Sequence, residues 1–398
     1  MHWPALLVTG PRAVGKTTTG LRHAAAALRF DRPGQRGLAL EDPDAAISIG
    51  PFPLLLDEWQ HAPEVLGAVK RAVDEDRSGP RRYIITGSAR NDLTVGSWPG
   101  TGRFLNIELW PLTGRERFGD AAERTLFDRW DSDRRFALPP EPPGILDYLQ
   151  IALAGGFPDA IEATDERRRD RWMRAYVEST ASRDLGELEA GPGRRRTPER
   201  LTRYLRALAV HTAGVVPDAA LASAAKLDVR TAAGYHDVLR TLRLVDDLPA
   251  WRTNRLKRLV AMPKRYLTDS GVAAWLARID HKTLQHNADA RGRVLDTYVA
   301  AQLRAEAEAS QTMVHLHHLR TQRGDHEVDL VAEFDGRVAA FEVKSSSAPT
   351  RRDARHLEWL REQLAPDEFA GGVVFHTGPQ RYGLGENIEA VPICGLWG

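Results

Sequence analysis

The chain has 398 residues, 42% of them hydrophobic and 27% charged, with a formal net charge of +1. That length exceeds one ordinary hydrophobic core and predicts two or three domains. The balanced charge excludes a chain-wide surface for nucleic acid, so any such contact needs a local basic patch.

Residues 1–115 alternate short apolar runs with helical stretches. ALLVT (5–9), LLLDE (54–58) and YIITGS (83–88) read as buried parallel strands, with helical spacing around 17–29 and 61–76. The pattern predicts a doubly wound α/β domain. Between its first strand and first helix lies GPRAVGKT, a full match to G-x-x-x-x-G-K-[ST]. Gly10, Pro11, Arg12, Ala13, Val14, Gly15, Lys16, Thr17 and Thr18 are therefore expected to cradle the phosphates of a nucleotide. Lys16 would reach the β- and γ-phosphates, and the Thr17 hydroxyl would ligate Mg²⁺.

A nucleoside triphosphatase also needs acid at the end of a second strand, and LLLDE supplies it. Asp57 is expected to hold Mg²⁺ through its water shell, and Glu58 to orient and deprotonate the attacking water. Ser88 would place a polar group beside the γ-phosphate from a neighbouring strand, or simply close a turn. Arg90 and Arg103 are candidates for transition-state charge, although each also reads as an ordinary surface arginine.

Residues 116–200 read as a helical region and linker, with GPGRRRTP (191–198) as an exposed link. Within 201–285, VVPDAALASAAKLDVRTAAGYHDVLRTLRLV reads as helix, turn, helix, with Asp228 as N-cap of the second helix. Two strands joined by RTNRLK follow, which is the layout of a winged helix. From Lys226 to Arg265 there are ten Lys/Arg against four Asp/Glu, the electrostatic footprint of phosphate-backbone contact. Lys226, Arg230, Arg255, Lys257 and Arg258 are the candidate contacts to double-stranded DNA. A basic solvated face on a protein-contact module remains open beside that reading.

Residues 286–398 read as a further α/β domain: an amphipathic helix from about 291, a hairpin, a helix over 352–364, and the strand GGVVFHTG. In HEVDLVAEFDGRVAAFEVKSS the pair Asp335-Gly336 is a two-residue hairpin turn. It sets Asp329 opposite Glu342 and Glu327 opposite Lys344. Val328, Leu330, Ala332, Ala339, Phe341 and Val343 are expected on the core face. Two carboxylates ~5 Å apart repel by about 3 kcal/mol at an effective dielectric of about 20. Protonation, a lysine or a divalent cation could relieve them. Lys344 is a partial answer and Mg²⁺ the fuller one.

Asp followed by Glu-x-Lys on the next strand resembles the PD-(D/E)xK nucleases. The resemblance implies Asp329 and Glu342 as metal ligands and Lys344 as the residue orienting the hydrolytic water. Asp296, in RGRVLDTYVAAQL, stands where those nucleases carry a further acid, usually glutamate, and Val-Asp replaces their Pro-Asp. A solvated structural hairpin is the plainer alternative.

GPRAVGKTT, LLLDEWQHAPEVLGAVKRAVDED, ITGSAR, GRFLNIELWPLTGRE, GGFPDA, ASRDL, KRYLTDSGVAAWL and EVDLVAEFDGRVAAFEVKSS, in that order, resemble prokaryotic AAA-type P-loop ATPases with a C-terminal winged-helix and restriction-endonuclease-like region. The resemblance implies adenine as the base and ATP with Mg²⁺ as cofactors. It leads to a Mg²⁺-dependent ATPase with a nuclease-like domain acting on or binding DNA. A nucleotide-dependent switch whose C-terminal domain binds without cleaving is the alternative, and a DNA-binding regulator a third.

Cys394 is the lone cysteine, which excludes an internal disulfide. No run approaches the ~18 apolar residues of a membrane helix, so no membrane partner is expected. MHWPALLVTGP lacks the basic start and apolar core of a signal peptide. The expectation is a cytoplasmic protein, and nothing in the sequence selects a homo-oligomer over a monomer.

Overall fold

The structure is a computed structural model that describes residues 3–76, 82–87, 102–119, 124–132, 135–184, 197–251 and 259–398. The chain divides into two compact units, Met1–Trp110 with Thr241–Arg243, and Pro111–Arg240 with Leu244–Gly398. Among the described residues no helix is long and apolar enough to cross a membrane.

The first unit is built on strands β1 (Ala5–Thr9), β2 (Ala26–Arg29), β3 (Leu54–Asp57), β4 (Tyr83–Thr86) and β5 (Phe104–Glu108), in the order β2-β3-β4-β1-β5. Every pairing is parallel. Helix α1 (Lys16–His23) leaves the loop after β1, and α2 (Glu64–Glu75) follows β3. Leu54, Leu55, Leu56, Tyr83 and Ile85 are fully or almost fully buried, as expected of parallel strands covered on both faces.

The stretch 17–29, expected to be one helix, is instead a helix ending at His23 and an edge strand. Four alanines in a row favour helix by propensity. The backbone of Ala25 nevertheless donates to Pro53 O at 2.8 Å, and β2 completes the edge of the sheet beside β3. Sheet pairing outweighs a weak local preference here.

In the second unit, α3 (Ile145–Ala154), α4 (Glu166–Ser179), α5 (Pro198–Val210), α6 (Asp218–Ala224) and α7 (Val229–Thr241) precede an antiparallel ribbon of β6 (Val245–Leu248) and β7 (Lys264–Leu267). Helices α8 (Ser270–Leu276) and α9 (Ala288–Ala309) follow. Strands β8 (His315–Arg320), β9 (Glu327–Phe334), β10 (Arg337–Val343), β11 (Phe369–His376), β12 (Tyr382–Gly385) and β13 (Ile388–Pro392) form a sheet of order β12-β13-β11-β10-β9-β8, and α10 (Arg355–Gln363) lies between β10 and β11 in sequence. One apolar core runs from Leu126 and Tyr148 through Leu248 and Tyr266 to Leu303, Phe341 and Trp397. The stretches read from sequence as 116–200, 201–285 and 286–398 all contribute to it.

The β9–β10 turn has positive φ at both Asp335 (49°) and Gly336 (72°), the conformation a two-residue turn needs to match strand twist. Pairing runs in the expected register from Arg337 opposite Phe334 to Phe341 opposite Leu330. Both faces of the sheet are covered. Leu330, Ala332, Ala339 and Phe341 face the core that holds α9, whereas Val331, Val338 and Ala340 pack with Leu357 and Leu360 of α10.

Val328 departs from the expected face and joins the α10 side. On β8, His317 pairs with Val331 but Leu319 pairs with Val328. Two β9 residues, Asp329 and Leu330, therefore oppose one, which is a β-bulge that reverses the alternation. The bulge sits at the acid on which the hairpin reading turned.

A candidate nucleotide site and a buried ion cluster

In the first unit the register aligns Val8 of β1, Thr86 of β4 and Asp57 of β3 side by side at the carboxyl edge of the sheet. Ligands bind at this edge in open parallel sheets. The loop from Gly10 to Gly15 turns through positive φ at Gly10 (143°), Ala13 (64°) and Gly15 (106°). Helix α1 starts at Lys16 with no side-chain cap and no acid in its first turn. Its N-terminal N–H groups therefore have no side-chain carboxylate competing for them, as an anion site requires.

Lys16 is buried, and its Nζ donates to Gly10 O at 3.0 Å and Pro11 O at 2.8 Å. The ammonium is thus folded onto the loop that would hold the phosphates. Thr17 Oγ1 donates to Asp57 Oδ1 at 2.8 Å, and Thr86 Oγ1 donates to the same oxygen at 2.5 Å. The other oxygen, Asp57 Oδ2, is buried without a hydrogen-bond partner and lies 3.5 Å from Arg29 Nε. A hydroxyl beside a carboxylate that keeps one buried oxygen out of hydrogen bonding fits a hard, oxygen-seeking cation such as Mg²⁺.

Glu58 adopts a left-handed backbone (φ 57°) and accepts a hydrogen bond from Gln60 Nε2, which orients its carboxylate. Thr86 and Arg29 are residues that the sequence reading missed. Both stand at strand ends beside Asp57, a relation carried by register rather than by spacing. Ser88 and Arg90 lie outside the described residues. Arg103 Nε pairs with Asp74 Oδ1 at 2.9 Å.

In the second unit, Asp228 caps α7 as expected, accepting from Thr231 N at 2.9 Å. Lys226 and Arg230 are exposed beside it, while Arg255, Lys257 and Arg258 lie outside the described residues. Part of the basic excess is internal. Arg265 pairs with Asp218 at 2.5 Å and with Asp247 at 3.4 Å, and Arg240 pairs with Asp247 at 3.3 Å. Lys264 is buried.

The structure brings the hairpin acids together and adds a residue that sequence reading did not. Asp329 N donates to Glu342 Oε2 at 3.4 Å, and Val343 N donates to Asp329 Oδ2 at 3.0 Å. Lys344 Nζ donates to Glu342 Oε1 at 2.9 Å. Asp296, from α9, joins them through Lys264 of β7. The Lys264 Nζ donates to Asp296 Oδ2 and to Asp329 Oδ1, each at 2.8 Å, and Tyr266 OH donates to Asp296 Oδ1 at 2.9 Å.

Burial pushes the Glu342 carboxyl up to about 8, with the Asp329 charge adding to the shift. Burial likewise raises Asp296 to about 6. For Asp329, burial acts upward but is outweighed by the Lys264 ammonium, the Lys344 charge and the Val343 N–H, and the group is held below its usual range. Lys264 is raised well above its ordinary value because Asp296 and Asp329 more than offset its burial.

A divalent cation was expected between Asp329 and Glu342; the charges the structure places beside these acids are Lys264 and Lys344. The repulsion is relieved by Lys264 and Lys344, and burial favours the protonated form of Glu342. Among the described residues no group of three or more His, Cys, Asp or Glu is arranged to hold a metal ion.

Comparison with known proteins matches three segments of the chain. Residues 2–118 match the AAA domain family, residues 145–283 match a domain of unknown function (DUF8612), and residues 291–396 match another (DUF4143). The N-terminal region is thus of the AAA-type P-loop class, a nucleotide-binding ATPase domain. The uncharacterized proteins Mb2031c of Mycobacterium bovis and Rv2008c of Mycobacterium tuberculosis are each 28% identical over 394 residues, covering 98% of this chain and 80% of theirs. The crystal structure of protein VC1899 from Vibrio cholerae aligns over 99% of this chain and 95% of that one, at 10% identity and a TM-score of 0.22.

Proposed function

We propose that this protein hydrolyses ATP with Mg²⁺ and uses the nucleotide cycle as a switch, with a C-terminal region that binds a partner and does not cleave it. The observation that carries the reading is the convergence of Thr17 and Thr86 on one oxygen of Asp57, at 2.8 and 2.5 Å, while the other oxygen has no hydrogen-bond partner. Thr17 and Asp57 would hold Mg²⁺, which would neutralise developing charge on the phosphates. Lys16 would move from its loop carbonyls onto the β- and γ-phosphates. Glu58, positioned by Gln60, would take a proton from water as the water oxygen bonds to the γ-phosphorus and the bridge to the β-phosphate breaks. Thr86 would keep Asp57 in place from the strand lying between β1 and β3.

DNA is the partner class that the exposed Lys226 and Arg230 favour. Cleavage of that DNA is the competing reading. It has the adjacency of Asp329 and Glu342 in its favour and the position of Lys264 against it.

The test is a parallel assay of ATP hydrolysis and plasmid nicking with wild type, Lys16→Ala and Glu342→Ala. Mg²⁺-dependent hydrolysis lost in Lys16→Ala, with no nicking by any of the three, is the expected result. Hydrolysis that survives Lys16→Ala would refute the nucleotide site. Nicking that disappears only in Glu342→Ala would restore the nuclease.

A further inference from the structure

The two acidic sites of this chain differ in how their carboxylate oxygens are satisfied. At the nucleotide site one buried oxygen of Asp57 has no hydrogen-bond partner and only an ion pair with Arg29 at 3.5 Å. In the C-terminal cluster all six carboxylate oxygens of Asp296, Asp329 and Glu342 face a donor. The donor that joins two of these acids is a full positive charge. Lys264 Nζ sits 2.8 Å from an oxygen of each of two carboxylates carried by α9 and β9, the relation a bound cation has to its ligands.

The lysine is held there by backbone. It opens β7, which pairs with β6 through Leu248 opposite Lys264. The segments on either side of the ribbon's connection are stitched to the edge of the C-terminal sheet. Trp251 N donates to His318 O at 2.7 Å, His318 N to Pro249 O at 2.9 Å, and Val260 N to Arg320 O at 2.8 Å. Side-chain withdrawal would leave Asp296 and Asp329 buried without the one charge that touches both, and moving the strand would break these bonds.

We propose that Lys264 is the resident cation of the C-terminal cluster, occupying the Asp329 oxygen that a divalent ion shared with Glu342 would need, and that it ties ribbon, long helix and hairpin into one rigid binding module. This deepens the non-cleaving reading above and rests on it. The nucleotide site is independent of it, so the failure of one leaves the other standing.

The experiment is Mn²⁺ binding followed by electron paramagnetic resonance, on the full chain without nucleotide. An Asp57→Asn background removes the cation site of the first unit. With Lys264 present, no bound Mn²⁺ is expected at concentrations that saturate the nucleotide-bound wild type. Lys264→Met, shown to be folded by its near-ultraviolet circular dichroism, is expected to gain one Mn²⁺ site and to lose it again when Glu342→Gln is added. Mn²⁺ bound with Lys264 in place, and lost in Asp329→Asn, would overturn the proposal. So would a folded Lys264→Met that binds none. If Lys264→Met does not fold, the measurement with Lys264 present decides alone, because a metal site predicts binding there and a lysine-filled one predicts none.

Discussion

Replacing a buried acid at a supposed catalytic position should stabilise this protein, and by an amount that depends on pH. Glu342 is 5% exposed and keeps its proton up to about 8 because of burial and the neighbouring Asp329 charge. In the unfolded chain the same group ionises at the ordinary glutamate value. Its folded pKa is therefore raised, and the folded state binds the extra proton. Stability from this group is fully present at pH below the ordinary value and is lost as pH rises towards 8. Each unit of that interval is worth about 1.4 kcal/mol.

Glu342→Gln removes the titration while keeping the shape and an oxygen able to accept from Lys344. The variant and wild type should be nearly equal at pH 5, and the variant more stable by roughly 3–4 kcal/mol at pH 8. The assay is urea unfolding at four pH values, read from the buried tryptophans of the second unit, Trp130, Trp251 and Trp397. The transition of this unit is to be fitted separately, since a chain of two units need not unfold in one step. Parallel stability curves for the two proteins between pH 5 and 8 would refute the reasoning, because they would mean that Glu342 ionises alike in folded and unfolded chains.

Three further outcomes follow from particular contacts. Thr86→Val should lower kcat for ATP by up to about 100-fold with little change in nucleotide affinity, because it frees Asp57 without touching the phosphate loop; equal losses in affinity and turnover would count against a positioning role. Asp269→Ala should cost about 2–4 kcal/mol, since Asp269 caps α8 through Val272 N at 2.7 Å and accepts from the buried Gly156 N at 2.6 Å; chemical denaturation measures it, and a loss under 1 kcal/mol would remove Asp269 from the structural account. If DNA is the partner, Lys226→Ala and Arg230→Ala should each reduce the slope of log affinity against log salt by about one. A slope unchanged in both would exclude these side chains as phosphate contacts.

Several of the motifs that carried the family resemblance prove to be packing devices. GGFPDA brings Gly156 to the Asp269 carboxylate of KRYLTDSG. The Arg of PLTGRE forms a buried pair with Glu306 at 2.7 Å, and the Gly before it donates to Gln302 Oε1 at 2.5 Å. These contacts bind segments 113 to 191 residues apart. Read as a string, they look like signatures of activity, because sequence alone does not distinguish a residue that touches substrate from one that touches a distant helix.

The phosphate loop and the hairpin turn were determined by sequence alone, because each depends on backbone conformations that neighbouring residues dictate. Gly15 and Asp335-Gly336 adopt left-handed geometry at little steric cost, and a strand-loop-helix spacing then places Lys16 and Thr17 at the start of the helix that leaves the loop. The meaning of the C-terminal acids was decided by tertiary structure. Lys264 lies 32 residues from Asp296 and 65 from Asp329, on a ribbon that belongs to a different part of the chain. A bulge in β9 turns Asp329 away from simple alternation. Which cation neutralises a buried carboxylate is set by what lies nearest in space, and at such separations only the packed fold brings that charge into place.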